Sequence, residues 1–266
     1  MNFTLPYIPD RTKQPRENGV TMMMDKGLSL MEAEAFIQSS SEFTDLVKFG
    51  FGTSMVTAQL EEKLKLYKSA GMKCYFGGTL FEAFIARGKF DDYRKLLSKY
   101  KLEVAEVSDG SIVLDHDQKC KYIETLAKDY TVLSEVGSKE AGLLISPARW
   151  IKMMTTEIEA GAWKVIAEGR ESGTVGIFRP SGHAHTLLIN KITARVAPDK
   201  IMWEAPKKEQ QVWFIKHFGA NVNLGNISPN EVIAMECLRL GLRGDTFFHF
   251  LPAEIVKKIK HPEKKK

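Results

Sequence analysis

Cysteine is scarce in this chain, and the spacing of the cysteines argues against both a disulfide-stabilised and a zinc-stabilised fold. Cys74, Cys120 and Cys237 are the three cysteines among 266 residues. They form neither a CxxC pair nor an even set, so the sequence predicts neither a disulfide framework nor a cysteine-rich zinc site. We interpret them as structural thiols of a protein in a reducing compartment.

Long apolar runs are also missing. No stretch approaches the ~18 apolar residues that a membrane-spanning helix requires, and the N-terminal MNFTLPYIPDRTKQPRENG has no apolar core of signal-peptide length. The sequence contains no P-loop, no GxGxxG motif after an apolar run, and no Cys/His arrangement typical of nucleophilic catalysis. These absences predict a soluble, cytoplasmic protein with no membrane partner.

The excess of positive charge is confined to the C-terminal tail. The formal net charge is +5, and the last ten residues, KKIKHPEKKK, contain six lysines and one glutamate. The rest of the chain is therefore close to neutral. We interpret the tail as a solvated terminus after a short helix from Ala253 to Ile259 and predict no nucleic-acid partner, with weak attraction to a polyanion left open.

Eight short apolar runs recur along the chain, and each stops at a cluster of glycine and charged or hydroxylated residues. They are TMMMDKG, VKFGFGTS, CYFGGTLFE, VAEVSDGS, VLSEVGSK, KVIAEGRESG, KIMWEAP and NVNLGNIS. Strands are predicted to begin near residues 21, 46, 72, 102, 131, 163, 200 and 220, with room for one helix after each. This alternation predicts an α/β fold: a single (β/α)8 TIM barrel over 21–246, with a short N-terminal arm at 1–20 and a basic C-terminal extension at 247–266.

Local signals locate several helix starts and one long loop. Asp115 is a predicted N-cap, and Ser146-Pro147 opens another helix. Ser228 and Glu231 predict a capping box at the start of the last barrel helix. Residues 173–185 are predicted to form an irregular loop, and a long loop at the strand-end face of a barrel is more often functional than accidental.

Acidic and basic side chains cluster where the predicted strands end. Because side chains alternate across a strand, Glu135 and Lys139 point to the same side of the fifth strand. Glu168 and Arg170 share one side of the sixth strand in the same way. Neighbouring strands add Asp25, Lys48, Glu106 or Asp109, and Glu204.

Charges inside a barrel are costly unless they are paired or bind a metal, so this set needs an explanation. One explanation is a pocket in which carboxylates hold Mg²⁺ and cations meet the phosphate or carboxylate groups of an anionic substrate. The other is a ring of structural salt bridges at the barrel end. The residue pattern leaves both open for any single residue and favours the pocket for the set.

Two further motifs are candidate phosphate contacts. Gly77-Gly78-Thr79 is interpreted either as a tight strand-to-helix turn or as backbone N–H groups that bind an anion. Asn221 and Asn223 alternate along the last strand and precede Gly225-Asn226. Because phosphate sites in barrels often use the loops after the seventh and eighth strands, these asparagines together with Arg243 are candidate phosphate contacts.

Nine short motifs occur in a fixed order along the chain. They are DKG at 25–27, KFGFGTS at 48–54, GGTLFE at 77–82, VSDGS at 107–111, SEVGSK at 134–139, EGRESG at 168–173, EAP at 204–206, VNLGNI at 222–227 and LRLGLRGDT at 238–246. Together they resemble the phosphosulfolactate synthase family, whose members add sulfite to phosphoenolpyruvate. The resemblance extends from about residue 10 to residue 246.

The resemblance implies a (β/α)8 barrel that depends on Mg²⁺ and forms (2R)-2-O-phospho-3-sulfolactate, which leads towards coenzyme M in methanogens and sulfolactate in some bacteria. Its small-molecule partners would be phosphoenolpyruvate and sulfite, and assembly into a homo-oligomer stays open. It implies that Lys139 is the general acid. We further predict Glu135 as a second catalytic residue and substrate binding by Lys48, Arg170, Ser172, Asn223 and Arg243. Mg²⁺ is predicted to bind to some of the strand-end glutamates: Glu106, Glu168 and Glu204, with Glu135 as a further candidate.

One position departs from the family pattern, which often has EVGKK where this chain has EVGSK. Ser138 therefore replaces one of two adjacent lysines, while Lys139 keeps the side of the strand on which Glu135 lies. One alternative is a non-catalytic relative, since plant heat-stress-associated proteins resemble the same family. Another is the same chemistry with a different nucleophile or enol acid. The presence of Lys139 and of the strand-end acids favours the enzyme.

Overall fold

A single parallel sheet forms the centre of the molecule. The computed structural model describes residues 2–137 and 145–260. Within them, eight strands pair in the order β3-β2-β1-β8-β7-β6-β5-β4. They are β1 (Thr21–Asp25), β2 (Leu46–Phe49), β3 (Lys73–Phe76), β4 (Val104–Val107), β5 (Thr131–Val136), β6 (Ala162–Ala167), β7 (Ile201–Glu204) and β8 (Leu224–Ile227). The end strands β3 and β4 lie in contact, so the sheet is a nearly closed barrel and the predicted (β/α)8 fold is confirmed.

Helices alternate with the strands around the outside. They are α1 (Leu30–Ser40), α2 (Leu60–Ser69), α3 (Gly78–Ile85), α4 (Phe90–Lys99), α5 (His116–Leu126), α6 (Pro147–Glu159), α7 (Thr186–Thr193), α8 (Lys208–Phe218), α9 (Val232–Arg239) and α10 (Ala253–Lys260). The predicted helix of the C-terminal extension is thus confirmed as α10. In the described part of the chain, no helix combines the length and apolar character needed to cross a membrane.

Two of the three predicted helix caps form, and the third is wrong. Asp115 accepts a hydrogen bond from an N–H in the first turn of α5, and Ser146 does the same for α6. Ser228 makes no such bond, and its hydroxyl instead donates to the side-chain oxygen of Asn230 at 2.7 Å. A capping box forms instead at α1, where Ser29 and Glu32 bond to each other's backbone N–H groups.

Apolar side chains fill the inside of the barrel below its carboxyl end. The buried inner layer consists of Val20, Met22, Leu46, Tyr75, Val104, Leu133, Ile166 and Met202. A second, larger core lies between the outer faces of the strands and the helices. Because inward positions alternate along a strand, the residue two places after each inner-layer residue also faces the axis. On five strands that residue is charged: Lys48, Glu106, Glu135, Glu168 and Glu204.

Buried ion pairs and hydrogen bonds connect the N-terminal arm to the amino-terminal end of the barrel. Arg11 pairs with Glu236 at 2.8 Å, and Arg16 with Asp45 at 3.0 Å. The ammonium of Lys164 donates to the backbone carbonyl of Glu17 at 2.6 Å. These contacts stabilise the end of the barrel opposite to the charged rim.

Candidate active site

The charged rim surrounds a cavity of about 370 Å³ at the carboxyl ends of the strands. Its described lining is strongly acidic. Five carboxylates and two cationic side chains contribute to it: Glu106, Glu135, Glu168, Glu171 and Glu204, with Lys48 and Arg170. The carboxyl end of a (β/α)8 barrel is where enzymes with this fold bind substrates, so this cavity is the candidate active site.

Lys48 is the centre of the buried charge network. Its Nζ lies 3.1 Å from Glu106 Oε2, 3.5 Å from Glu135 Oε2 and 3.6 Å from Glu204 Oε1. Burial by itself would lower the pKa of Lys48, but the surrounding carboxylates outweigh that effect and hold the pKa well above its ordinary value. Lys48 therefore stays an ammonium ion whose charge is shared among three glutamates.

Glu106 also binds the start of α3. The backbone N–H of Gly78 donates to Glu106 Oε1, next to the Lys48 contact on Oε2. A side chain at position 78 would collide with Glu106 and with Ser108, which explains the glycine. The Gly78 amide, considered above as a site for a substrate anion, thus binds a carboxylate of the protein itself.

Glu135 is connected to a second buried glutamate through a serine. The hydroxyl of Ser108 lies 2.9 Å from Glu135 Oε1 and 2.5 Å from Glu82 Oε1. The other oxygen of Glu82 accepts the backbone N–H of Ser111 at 3.1 Å. The sequence reasoning missed Glu82 and Ser108, although both lie within the quoted motifs. A glutamate in the otherwise apolar stretch LFEAFI was the available signal.

Lys119 fixes the outer side of β5. Its Nζ donates to the backbone carbonyl of Glu135 at 2.6 Å and pairs with Asp109 at 2.9 Å and Glu157 at 3.0 Å. Burial alone would lower the pKa of Lys119, but Glu157 and Asp109 raise it above its ordinary value. Of the two acids considered at the end of the fourth strand, Glu106 therefore faces the cavity and Asp109 pairs behind the sheet.

Glu168 and Glu204 lie side by side at the ends of β6 and β7. The backbone N–H of Arg170 is shared between them, at 2.6 Å from Glu168 Oε1 and 3.0 Å from Glu204 Oε2. The N–H of Gly169 also donates to Glu204, at 3.0 Å. Arg170 has a left-handed backbone with φ +60°, and its side chain is exposed at the cavity mouth. Backbone amides of Gly169 and Arg170 thus hold these two carboxylates close together.

Comparison with known proteins identifies the family. The sequence model of the (2R)-phospho-3-sulfolactate synthase (ComA) family matches residues 9–245. The chain belongs to this family. A phosphosulfolactate synthase of Bacillus subtilis (strain 168) is 40% identical over 251 residues, which cover 93% of this chain and 100% of the relative. The Methanocaldococcus jannaschii enzyme of the same name is 41% identical over 240 residues, covering 87% and 94%.

A solved structure supports the fold independently. The 3-hexulose-6-phosphate synthase of Salmonella typhimurium matches with a TM-score of 0.56 at 14% identity, over 84% of this chain and 100% of that chain. At that identity the likeness concerns the barrel and not the chemistry. The predicted resemblance to phosphosulfolactate synthases is confirmed by the family match and its relatives, which together support that function for this family member.

The structure brings most of the predicted site residues together. Lys48, Glu106, Glu135, Glu168, Arg170 and Glu204 all line the cavity. Lys139 and Ser138 lie outside the described residues. Of the described residues, Ser172 and Arg243 are not among those that line the cavity, and the Ser172 hydroxyl contacts Thr174 at 2.8 Å in an exposed loop.

Asn223 and Asp25 have structural positions away from the cavity. Asn223 donates to the backbone carbonyls of Asp199 and Ile201, both at 3.0 Å, and accepts the N–H of Val20 at 3.1 Å, so its amide joins the amino ends of the strands. Asn223 does not line the cavity, so this geometry gives no support to the prediction that it contacts substrate. Asp25 faces the helices, where it pairs with a buried lysine of α2 at 2.6 Å.

In the described part of the chain, we find no group of three or more Asp, Glu, His or Cys side chains that is arranged to hold a metal ion. The donors present are nevertheless carboxylate oxygens, which Mg²⁺ prefers. Mg²⁺ usually binds one or two protein carboxylates and completes its shell with water and substrate oxygens. The neighbouring carboxylates Glu168 and Glu204 fit that requirement by donor chemistry.

Proposed function

We propose that this chain is a phosphosulfolactate synthase that adds sulfite to phosphoenolpyruvate, giving (2R)-2-O-phospho-3-sulfolactate. The observation that carries the proposal is the family match over residues 9–245. The cavity at the carboxyl end of the barrel supports it, because the buried charged residues of the matching motifs converge there.

The charge of the cavity supports a need for added cations. Both proposed substrates are anions, whereas the described lining carries more carboxylates than cationic side chains. Like charges in a partly buried site repel strongly, so substrate would bind poorly to this lining alone. We propose that Mg²⁺, held by Glu168 and Glu204, supplies part of the missing charge. When bound, it would stabilise the negative charge that develops on the substrate carboxylate.

Side chains of the protein supply the proton, bind the substrates and position the carboxylates. In the proposed reaction the sulfur lone pair of sulfite attacks the methylene carbon of phosphoenolpyruvate, and the π electrons move onto the carboxylate to give an enediolate. C2 then takes a proton from the Lys139 ammonium. Arg170, exposed at the cavity mouth, binds anionic oxygens of the substrates. Lys48 holds Glu106, Glu135 and Glu204 in place, and Ser108 orients Glu135 from behind.

A direct assay tests the proposal. Purified full-length protein is mixed with Mg²⁺, sulfite and phosphoenolpyruvate, and phosphosulfolactate is followed by mass spectrometry. Loss of a general acid should cost on the order of 10²- to 10⁴-fold in rate, so Lys139→Ala should fall by that factor. Lys152→Ala, on the exposed side of α6, is the matched control and should keep the native rate.

The outcomes separate the alternatives. Absence of product from the native protein would refute the synthase and favour a non-catalytic relative. Product formed only when sulfite or phosphoenolpyruvate is replaced would favour the same chemistry on another nucleophile or enol acid. Unchanged turnover in Lys139→Ala would remove that residue from the role of general acid.

A further inference from the structure

The last strand of the barrel contains an irregularity that faces the cavity. Along β1 and β8 the paired residues step from Thr21 opposite Leu224 to Met23 opposite Ile227. Two residues of β1 therefore match three of β8, which is the register of a β-bulge. Leu224 and Ile227 both pack in the outer core although their odd spacing would place them on opposite faces of a regular strand. The extra residue breaks the alternation.

Asn226 is the residue that the bulge turns inward. Its backbone is left-handed, with φ +58°, a conformation that asparagine tolerates better than most residues. Its side chain is only 7% exposed, and it lines the cavity together with Lys48 and Arg170. Within residues 2–137 and 145–260, no hydrogen-bond partner lies within reach of its Oδ1 atom.

A buried amide oxygen without a partner is costly, on the order of 1–3 kcal/mol in a folded protein, unless a ligand completes it. Bulges next to active sites commonly re-aim one side chain. Both observations indicate that Asn226 is built to contact a ligand. The oxygen of a carboxamide accepts and its NH₂ group donates, and a half-turn of the amide exchanges the two, so the same position can donate to an anionic oxygen.

We propose that Asn226 binds an oxygen of the substrate's phosphoryl group, an assignment that rests on the proposed function. The eighth strand supports this choice over the carboxylate, because barrels of this class frequently bind phosphate at the loops after strands seven and eight. Asn226 thus takes the place that the sequence pattern gave to Asn223, three residues earlier and at the opposite end of the strand.

The test is a set of binding measurements by titration calorimetry in the presence of Mg²⁺. The ligands are phosphoenolpyruvate, inorganic phosphate, and pyruvate, which has the carboxylate without the phosphoryl group. Asn226→Gly removes the amide and suits the left-handed backbone, so it should fold. We expect phosphoenolpyruvate and phosphate to bind about tenfold to a hundredfold more weakly, as for a lost hydrogen bond to a charged group, and pyruvate to bind unchanged.

Two further variants sharpen the measurement. Asn226→Asp keeps the shape and adds a negative charge, so it should weaken phosphate binding at least as much as Asn226→Gly. Asn18→Gly, in the exposed arm, is the matched control and should bind all three ligands as the native protein does.

The assignment would be overturned if Asn226→Gly bound phosphate and phosphoenolpyruvate with native affinity, or if its affinity for pyruvate fell equally. It would also be overturned if the native chain bound neither phosphate nor phosphoenolpyruvate. Failure of the proposed function has a different signature: the native chain would bind phosphoenolpyruvate, lose that affinity in Asn226→Gly, and form no product with sulfite.

Discussion

Replacement of Lys48 by methionine tests whether its ammonium holds the acidic rim together. In the native protein this group lies within 3.6 Å of three buried carboxylates. Removing one partner of a buried ion pair typically costs about 3–5 kcal/mol, because the remaining charge is left uncompensated. We expect Lys48→Met to lower the free energy of unfolding by about that amount at neutral pH.

The pH dependence of this loss has a definite sign. The pKa of Lys48 is raised in the folded state, so its stabilising contribution is fully present below the unfolded-state pKa, about 10.4, and is lost only as the pH rises through the still higher folded-state value. The difference in the free energy of unfolding between the native protein and Lys48→Met should therefore be constant from neutral to mildly alkaline pH. In the variant, protonation at acid pH of the carboxylates that face Lys48 in the native protein relieves their mutual repulsion, so the difference between the two proteins should shrink there.

Urea unfolding followed by tryptophan fluorescence and circular dichroism measures the difference. Lys95→Met is the matched control, since Lys95 pairs with Asp92 on an exposed helix surface at 3.2 Å and such pairs are worth roughly 0–1 kcal/mol. Equal stability of Lys48→Met and Lys95→Met at neutral pH would refute the network. A loss that does not change between pH 5 and pH 8 would show that packing, and not charge, explains the effect.

Two other changes should have measurable effects. Gly176 has φ +62°, and a side chain there would overlap the backbone oxygen of Glu168. Gly88 has a similar φ of +65°, but no atom lies near the position of its missing side chain. Gly176→Ala should therefore destabilise the protein by about 1–3 kcal/mol more than Gly88→Ala. Thermal unfolding compares them, and equal losses would remove the contact as the cause. Burial lowers the pKa of Lys164 to about 8, against the pull of Glu17. Between about pH 8 and the ordinary lysine pKa near 10.4, the unfolded chain therefore binds more protons than the folded one. The free energy of unfolding of the native protein should rise relative to that of Lys164→Met as the pH increases through this range. A constant difference between the two proteins across the range would contradict this.

The sequence was sufficient to predict the barrel because its signals are local and repeated. Each apolar run ends at turn-forming residues, and all eight strands begin within a few residues of the predicted positions. The cap at Ser228 failed for an equally local reason. A serine can bond to a neighbouring side chain as well as to the helix backbone, and Ser228 bonds to Asn230. Nothing in the four-residue pattern distinguishes these two outcomes.

The site was predictable to the extent that strand alternation is regular. That rule placed Glu106, Glu135, Glu168 and Glu204 at the cavity. It did not locate Asn223, which precedes β8 at the amino ends of the strands, or Asn226, which the extra residue between Leu224 and Ile227 turns towards the cavity. Strand register depends on pairing with β1 and β7, which are distant in sequence, so a bulge of this kind has no signature in the strand itself.

The electrostatics of the rim bear on which lysine donates the proton. A general acid works best when its pKa lies near the pH at which the enzyme operates, because it must both hold a proton and release it. Lys48 faces the cavity, but its carboxylate neighbours raise its pKa well above the ordinary value, so it holds its proton too tightly for that role. The three carboxylates that make Lys48 a good structural cation thus make it a poor acid. Of the two lysines named from the strand ends, Lys139 therefore stays the proposed general acid, and the Lys139→Ala assay tests it directly.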